Sequence, residues 1–422
     1  MKKIFFIILA LSLPSVISAQ NLNGRLSSSF YTFERFDTLN SSDTFIRTFE
    51  TLSLNFNYKK ISLRTRMNFE ANLGKALDKD PYVRFYNLYF EARDVFDMFT
   101  LKLGRQPLFT TVAGGLYDGA NLKFKYANIS LTGFYGGNVP AYQKMKFTDD
   151  LKNDYVIGGR FEVFFLNHFN FGLSYIDKNF KPVEYNALRL NEDLDPVTIL
   201  IQQKSNQFKF LSAEASYFLN GALNITTRYD YDMNFQRTSK FEATGRVQAT
   251  NEIGLDLYYN WREPKIRYNS IFSVFNFGNS QEIEGGVDYK LSKDFTIFSK
   301  YGNVKYQDEN SQRITVGLNT KFGSLSYRKT LGYAGELDGI SIYTARTFAD
   351  GFVTPSLGIA FTSYKLSKEA ETNNITSLLA GVNIRPLTDF SFDLQGQYFN
   401  NKIYKNDFRV LFKVNYWFNT NF

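Results

Sequence analysis

The chain has no cysteine, one histidine and nine prolines in 422 residues. Without thiols there can be no disulfide, thiolate zinc site, iron–sulfur cluster or c-type haem attachment, and no cysteine for a lipid anchor. The lone histidine, His168, leaves little scope for imidazole-based metal or nucleophile chemistry. Beyond residue 19 no run approaches eighteen apolar residues. That excludes a transmembrane helix, but not a protein that crosses a membrane with strands. Charge is spread thinly, with 49 Lys and Arg against 41 Asp and Glu and a net +8. No dense basic block suggests a nucleic-acid partner.

What is abundant is aromatic. Phe (44) and Tyr (28) lift the aromatic share to 18%, and hydrophobic residues reach 44%. With a mean hydropathy of −0.29, this excludes a disordered chain, which would be poor in both. Residues 1–19 read as a secretory signal. Lys2 and Lys3 form its basic start, Ile4 to Leu13 its apolar run, and Ser15 to Ala19 a small-residue cleavage site. The apolar run is too short for the ~30 Å of a bilayer core, which argues against an anchor. Residues 20–422 are then expected to form one domain.

That domain alternates. Ile61, Leu63, Met67, Phe69, Ala71 and Leu73 are separated by Ser62, Arg64, Arg66, Asn68, Glu70 and Asn72. A period of two means a strand with one apolar and one polar face. The pattern recurs at Leu52–Tyr58, Ile157–Phe165, Leu223–Tyr231 and Phe390–Tyr398. Segments of about ten residues suit a tilted strand crossing a bilayer, whereas soluble strands average about five or six. An open sheet edge in lipid would leave backbone groups unpaired, so the sheet must close. The expected fold is all-β: a transmembrane, antiparallel, up-and-down β-barrel in a bacterial outer membrane.

Connections should alternate short and long. Short ones are expected at Lys59-Lys60, Ala127-Asn128, Asn167-His168, Asn220-Gly221 and Leu291–Asp294. Long ones are expected at Gln106–Asp118, Gly137–Asp154, Lys178–Gln207, Val304–Ser311 and Ser367–Asn374. In residues 241–262, Ala243 to Ala249 and Ile253 to Trp261 share one odd-numbered phase, which predicts a single long strand. The count then comes to about 22 strands, with both termini periplasmic; weak signals near Leu325 and Ile340 leave 18 or 20 as alternatives. The first strand begins near Leu22, which leaves no room for a plug domain. The chain closes on alternating Val410, Phe412, Val414, Tyr416 and Phe418, ending at Phe422. A terminal aromatic strand of this kind resembles the assembly signal of outer-membrane barrels.

Leu101-Lys102-Leu103-Gly104-Arg105-Gln106, followed by Leu116-Tyr117-Asp118-Gly119 and by Leu122, Phe124 and Tyr126, resembles the LxLGRQ…DG segment of Gram-negative porins, including alginate-export-type barrels. The resemblance implies a porin-like barrel with Arg105 facing the pore. A strand-end salt bridge or loop anchor is the plainer role for that arginine.

Function should reside on the polar face. Candidate pore-lining residues are Arg64, Arg66, Glu70, Arg93, Lys102, Arg105, Lys123, Lys125, Arg160, Glu162, Arg228 and Asp230, with Glu214 beside them. Cations predominate, and a cationic lumen favours anions unless neighbouring strands supply pairing acids. Lys178–Gln207 carries an apolar run, Val197 to Ile201, and is expected to fold into the lumen as a constriction. No catalytic constellation emerges. His168 falls in a turn, the pairs Glu282/Glu284 and Asp230/Asp232 are what alternation produces, and Gly136-Gly137 and Gly285-Gly286 lack a phosphate-loop context. No metal or cofactor is expected. The leading expectation is a non-enzymatic channel for small polar or anionic solutes, in contact with outer-membrane lipid and compatible with a homo-oligomer. The alternatives are a sheath or scaffold for a partner protein, and an exporter of acidic polysaccharide.

Overall fold

A computed structural model describes residues 21–422 apart from 39–40, 75–79, 109–111, 113, 140–146, 166–167, 193–194, 204–206, 267–273, 275–277, 333–334, 368–369 and 403–404. The expected signal segment, 1–19, lies outside the described residues. The chain is built from strands, the first nine being β1 (Asn21–Thr38), β2 (Ser41–Tyr58), β3 (Ile61–Leu73), β4 (Tyr82–Val95), β5 (Phe99–Leu108), β6 (Gly115–Tyr126), β7 (Ile129–Val139), β8 (Tyr155–Phe165) and β9 (Phe169–Asn179). A separate hairpin follows, β10 (Val183–Leu190) with β11 (Pro196–Gln203). The wall resumes with β12 (Gln207–Leu219), β13 (Leu223–Asp232), β14 (Arg237–Gln248), β15 (Ile253–Arg262), β16 (Ser280–Ser292), β17 (Phe295–Tyr306) and β18 (Glu309–Thr320). It ends with β19 (Gly323–Gly332), β20 (Glu336–Ala345), β21 (Val353–Lys365), β22 (Asn373–Leu387), β23 (Phe390–Asn400) and β24 (Asp407–Thr420).

Each wall strand pairs antiparallel with the next, β9 joining β12 past the β10–β11 hairpin, and β1 pairs with β24 from Leu22↔Thr420 to Tyr31↔Leu411. The result is a closed sheet of 22 strands with no open edge in lipid. The outer surface is apolar and banded. Leu63, Leu122, Leu131, Leu255, Val287, Val316, Ile342 and Ile359 are exposed on it. Tyr58, Tyr126, Tyr289 and Phe322 lie toward the short-turn end, and Tyr135, Tyr301, Phe361 and Phe408 toward the other. These two belts account for the aromatic surplus, since an amphipathic ring suits the membrane interface. Short turns are periplasmic in such barrels, which puts Asn21 and Phe422 on that side.

Two expectations need correction. Residues 241–262 form two strands, β14 and β15, with a turn between them. Antiparallel partners share a face, so a hairpin keeps its odd–even phase when the paired numbers sum to an even value. Gln248↔Gly254 keeps the phase; Tyr58↔Ile61, across a two-residue turn, swaps it. Continuity of phase therefore hid the turn. Val304–Ser311 is not a long loop: Tyr306 pairs with Glu309 across Gln307-Asp308, and Gln307 has φ +52°. The Lys178–Gln207 connection carries a hairpin of its own. Its β10–β11 hairpin pairs only with itself, and Leu188, Leu190 and Leu200 stay exposed. The apolar run there is used as one strand of a free ribbon.

Candidate functional site

Strand phase assigns each charge to a wall. Arg64, Arg66 and Glu70 on β3 oppose the lipid-facing Leu63, Met67 and Phe69. The register carries the inner phase on to Arg93 on β4, Lys102 on β5, Lys123 and Lys125 on β6, and Arg160 and Glu162 on β8. Arg228 and Asp230 share it on β13. A round barrel of 22 strands, spaced about 4.8 Å and tilted about 40°, would be about 44 Å across. A wall charge therefore acts locally in the lumen, because salt screens it within about 8 Å.

Most of the candidates are neutralised by a neighbour. Buried Glu91 is the hub of one cluster, 2.9 Å from Arg64, 3.4 Å from Lys102 and 3.8 Å from Arg93, and it accepts a hydrogen bond from Ser62. Glu70 takes Arg47 at 3.1 Å and Arg84 at 3.5 Å. Arg160 lies between Glu162 (3.0 Å) and Glu214 (2.7 Å), and Arg228 grips Asp230 on its own strand at 2.7 Å. The far wall is acid-rich and likewise paired: Arg246 joins Asp256 and Asp288, and Arg313 joins Glu282 and Glu284. Of the two carboxylate pairs noted in the sequence, Glu282, Glu284 and Asp230 are thus salt-bridge acceptors, whereas Asp232 accepts the backbone N–H groups of Asn234 and Phe235.

Several inner-wall cations differ. Among the described residues no ion pair is formed by Arg25, Arg66, Lys123 or Lys125 on β1–β6, nor by Arg262, Arg328 or Lys413 on β15, β19 and β24. Arg66 rests on the Tyr86 ring at 5.6 Å. Arg25 faces Ser53 and Trp417 across its two strand pairings, and Ser53 in turn faces Arg66. Four of these cations sit in β1–β6, the part of the chain where the sequence showed a cationic group.

Arg105 does not line the lumen. It shares the outer phase of Leu101 and Leu103, and its guanidinium donates two parallel hydrogen bonds to Asp118, at 2.8 and 2.7 Å. The arginine of LxLGRQ and the aspartate of DG are therefore one lock across β5–β6. Gly104 precedes it at φ +122°, and a Cβ there would collide with the Leu88 carbonyl oxygen.

The lock sits at the base of a connection that turns inward. Val112 packs on an apolar patch of the inner wall made by Leu108, Tyr117, Phe134, Val156, Ile176 and Phe210. Lys178 donates to the Gly114 carbonyl at 3.2 Å, and Lys265, beyond β15, donates to the Val112 carbonyl at 3.2 Å. Seven strands separate β5 from β15, so this contact spans part of the lumen. Burial at that contact holds the Lys265 ammonium below its ordinary lysine value. The sequence reading had Asp118 in the motif and a strand-end salt bridge for Arg105, without joining the two; it missed Glu91 and the inner apolar patch. The available signal was Phe134, an aromatic in the polar phase of its strand, between Thr132 and Gly136. His168 lies in the periplasmic turn before β9, 6.3 Å from the Tyr217 ring.

No protein-family model matches the chain, and no curated protein matches it. Solved structures do. A chain of the E. coli P pilus tip assembly intermediate PapC-PapD-PapK-PapG aligns with a TM-score of 0.52 and 10% identity, over 96% of this chain and 62% of that one. The present chain thus spans about 62% of that chain's length. Acinetobacter baumannii OccAB4 aligns at 0.47 and 11% identity over 96% and 100% of the two chains. A BenF-like porin from Pseudomonas fluorescens Pf-5 aligns at 0.41 and 10% over 95% and 99%. Identities this low speak to fold alone. By its architecture the protein is an antiparallel β-barrel of the outer-membrane kind, closed by 22 strands, with no plug domain among the described residues.

Proposed function

We propose that the barrel is a passive channel for small polar solutes with a preference for anions. The observation that carries this reading is the group of unpaired cations on the β1–β6 wall: among the described residues Arg25, Arg66, Lys123 and Lys125 have no carboxylate partner, while Glu70 and Glu91 of that wall are each committed to two or more cations. A permeating anion passing within about 8 Å of this wall meets an uncompensated field, and a cation is repelled by it. No covalent step is needed; the protein supplies a hydrated path, a local narrowing and a charge pattern. The test is reversal potential across a planar bilayer under a salt gradient. Wild-type barrel should favour chloride over potassium, and Arg25→Glu with Arg66→Glu should shift the potential toward cations at similar conductance. Unchanged selectivity in that variant would sink the anion preference.

A second reading, a sheath or scaffold for another protein, is favoured by the β10–β11 ribbon, which exposes Leu188, Leu190 and Leu200 and pairs with no wall strand. A barrel that yields no discrete conductance steps, and co-purifies with a fixed partner, would select it.

A further inference from the structure

The inner wall formed by β4–β9 contains a recess of about 310 Å³. Its lining includes Lys102, Lys123 and Arg160 and no carboxylate. The register fixes their arrangement. Lys123, Thr132, Arg160 and Ser174 form one row across β6–β9, and Lys102 pairs with Asn121 in the next row toward the outside. With strands about 4.8 Å apart, Lys123 and Arg160 stand about 10 Å apart, on either side of Thr132. Arg160 shares its charge with Glu162 and Glu214, and Lys102 with Glu91. Lys123 has no such partner among the described residues. The recess therefore keeps a net positive charge.

A second, independent feature lies at its outer end. Tyr117 is 1% exposed, packed on Phe134 with ring centroids 5.9 Å apart. Its buried hydroxyl lies beside the Asn121 amide, which can donate to its oxygen, but no acceptor receives its proton among the described residues. Burying a hydroxyl unsatisfied is costly, and an isosteric phenylalanine would avoid the cost. Retention of the hydroxyl is explained by an acceptor that arrives with a ligand. Thr132, Ser174 and Asn121 add donors between the cationic and aromatic ends.

Resting on the channel reading above, we infer that this recess is a binding subsite for a small hydroxylated carboxylate of sugar-acid size. The carboxylate sits at Lys123 and Arg160, and a ligand oxygen accepts the Tyr117 hydrogen bond. The volume lies at the lower end for small-ligand pockets, so a single acid fits and a polymer chain does not. Charge alone would accept any small anion; the orphan hydroxyl selects one that carries a further acceptor oxygen.

The probes are gluconate and hexanoate, equal in carbon number and charge but differing in hydroxyls. Each is titrated against the chloride current of the full-length barrel in a planar bilayer, and against detergent-solubilised barrel by calorimetry. Gluconate should interrupt the current at a concentration at least fivefold lower than hexanoate. Lys123→Gln should raise that concentration at least fivefold relative to wild type. Tyr117→Phe, which removes only the unsatisfied hydroxyl and should fold normally, should abolish the preference between the two acids. Equal action of the two acids on wild-type barrel, or an unchanged gluconate response in Lys123→Gln, would overturn the subsite. A barrel that conducts but binds no gluconate loses the subsite and keeps the channel. One that binds gluconate yet passes no current loses the channel and keeps the subsite.

Discussion

The Arg105–Asp118 lock makes a quantitative demand. Both side chains are almost wholly buried, at 7% and 4% exposure, and they meet through two parallel hydrogen bonds. Removing one partner of such a pair strands a buried charge and costs about 3–5 kcal/mol, whereas replacing both with apolar groups of similar size is close to neutral. Arg105→Met and Asp118→Asn should therefore each destabilise the barrel by about 3 kcal/mol or more. Arg105→Met with Asp118→Leu should recover most of that loss, giving a coupling of about 2 kcal/mol or more. Arg105→Lys should behave like a loss, because an ammonium cannot make the two-pronged contact. The assay is reversible urea unfolding from lipid vesicles, read by the two tryptophans, Trp261 on β15 and Trp417 on β24. Single variants costing under about 1 kcal/mol, or a double variant as costly as the sum of the singles, would show that the pair is solvated and does not brace the β5–β6 connection.

Fold class was legible because lipid enforces it: every outward position must be apolar and every backbone group paired, so period two persists from Leu22 to Phe418. What sequence could not supply was register. Whether a hairpin swaps phase depends on its turn length, so Ala243–Trp261 looked like one strand, and Gln307-Asp308 was absorbed into an apparent loop. Inner-wall charge posed the same difficulty. Arg64, Lys102 and Arg93 read as a cationic group until the pairing of β3, β4 and β5 brought all three to Glu91. The Arg105 motif was recognisable, but its role lay in Asp118, thirteen residues on. The inward connection was obscured for a related reason. The Val197–Ile201 run is conspicuous in sequence and is satisfied as a ribbon strand, whereas Val112 is inconspicuous and finds its apolar partners only through the curvature of β5–β9 and β12.

Lipid-face substitutions should separate the two walls: Phe69→Arg, Phe161→Arg or Leu255→Arg should cost about 2–4 kcal/mol near the midplane in the same urea assay. Arg64→Ala should cost little, since Glu91 keeps Lys102 and Arg93. Replacing residues 183–203 with a short Gly/Ser linker should leave conductance unchanged, because β10 and β11 pair only with each other; a rise in conductance would mean the ribbon enters the pore. Outside the membrane, a hydrogen bond from Lys402 holds the Glu371 carboxyl below its ordinary 4.5. The contact between these two loops is then complete above pH 4.5 and lost as pH falls through the lowered value; hydrogen exchange over 366–372 should show it, and Glu371→Gln should remove the pH dependence. The final prediction concerns Glu91. Glu91→Gln leaves Arg64, Lys102 and Arg93 without their shared acid, adding one net positive charge to the cationic wall. In water a unit charge acts on an ion 8 Å away with about 0.5 kcal/mol, and at physiological salt screening reduces that to about 0.2 kcal/mol. Anion preference should therefore rise only slightly at 0.15 M salt. At about 0.01 M, where the screening length grows to about 30 Å, the rise should be near twofold. A reversal potential that ignores the substitution at both salt concentrations would place this cluster off the ion path, and the anion preference would have to come from elsewhere on the wall.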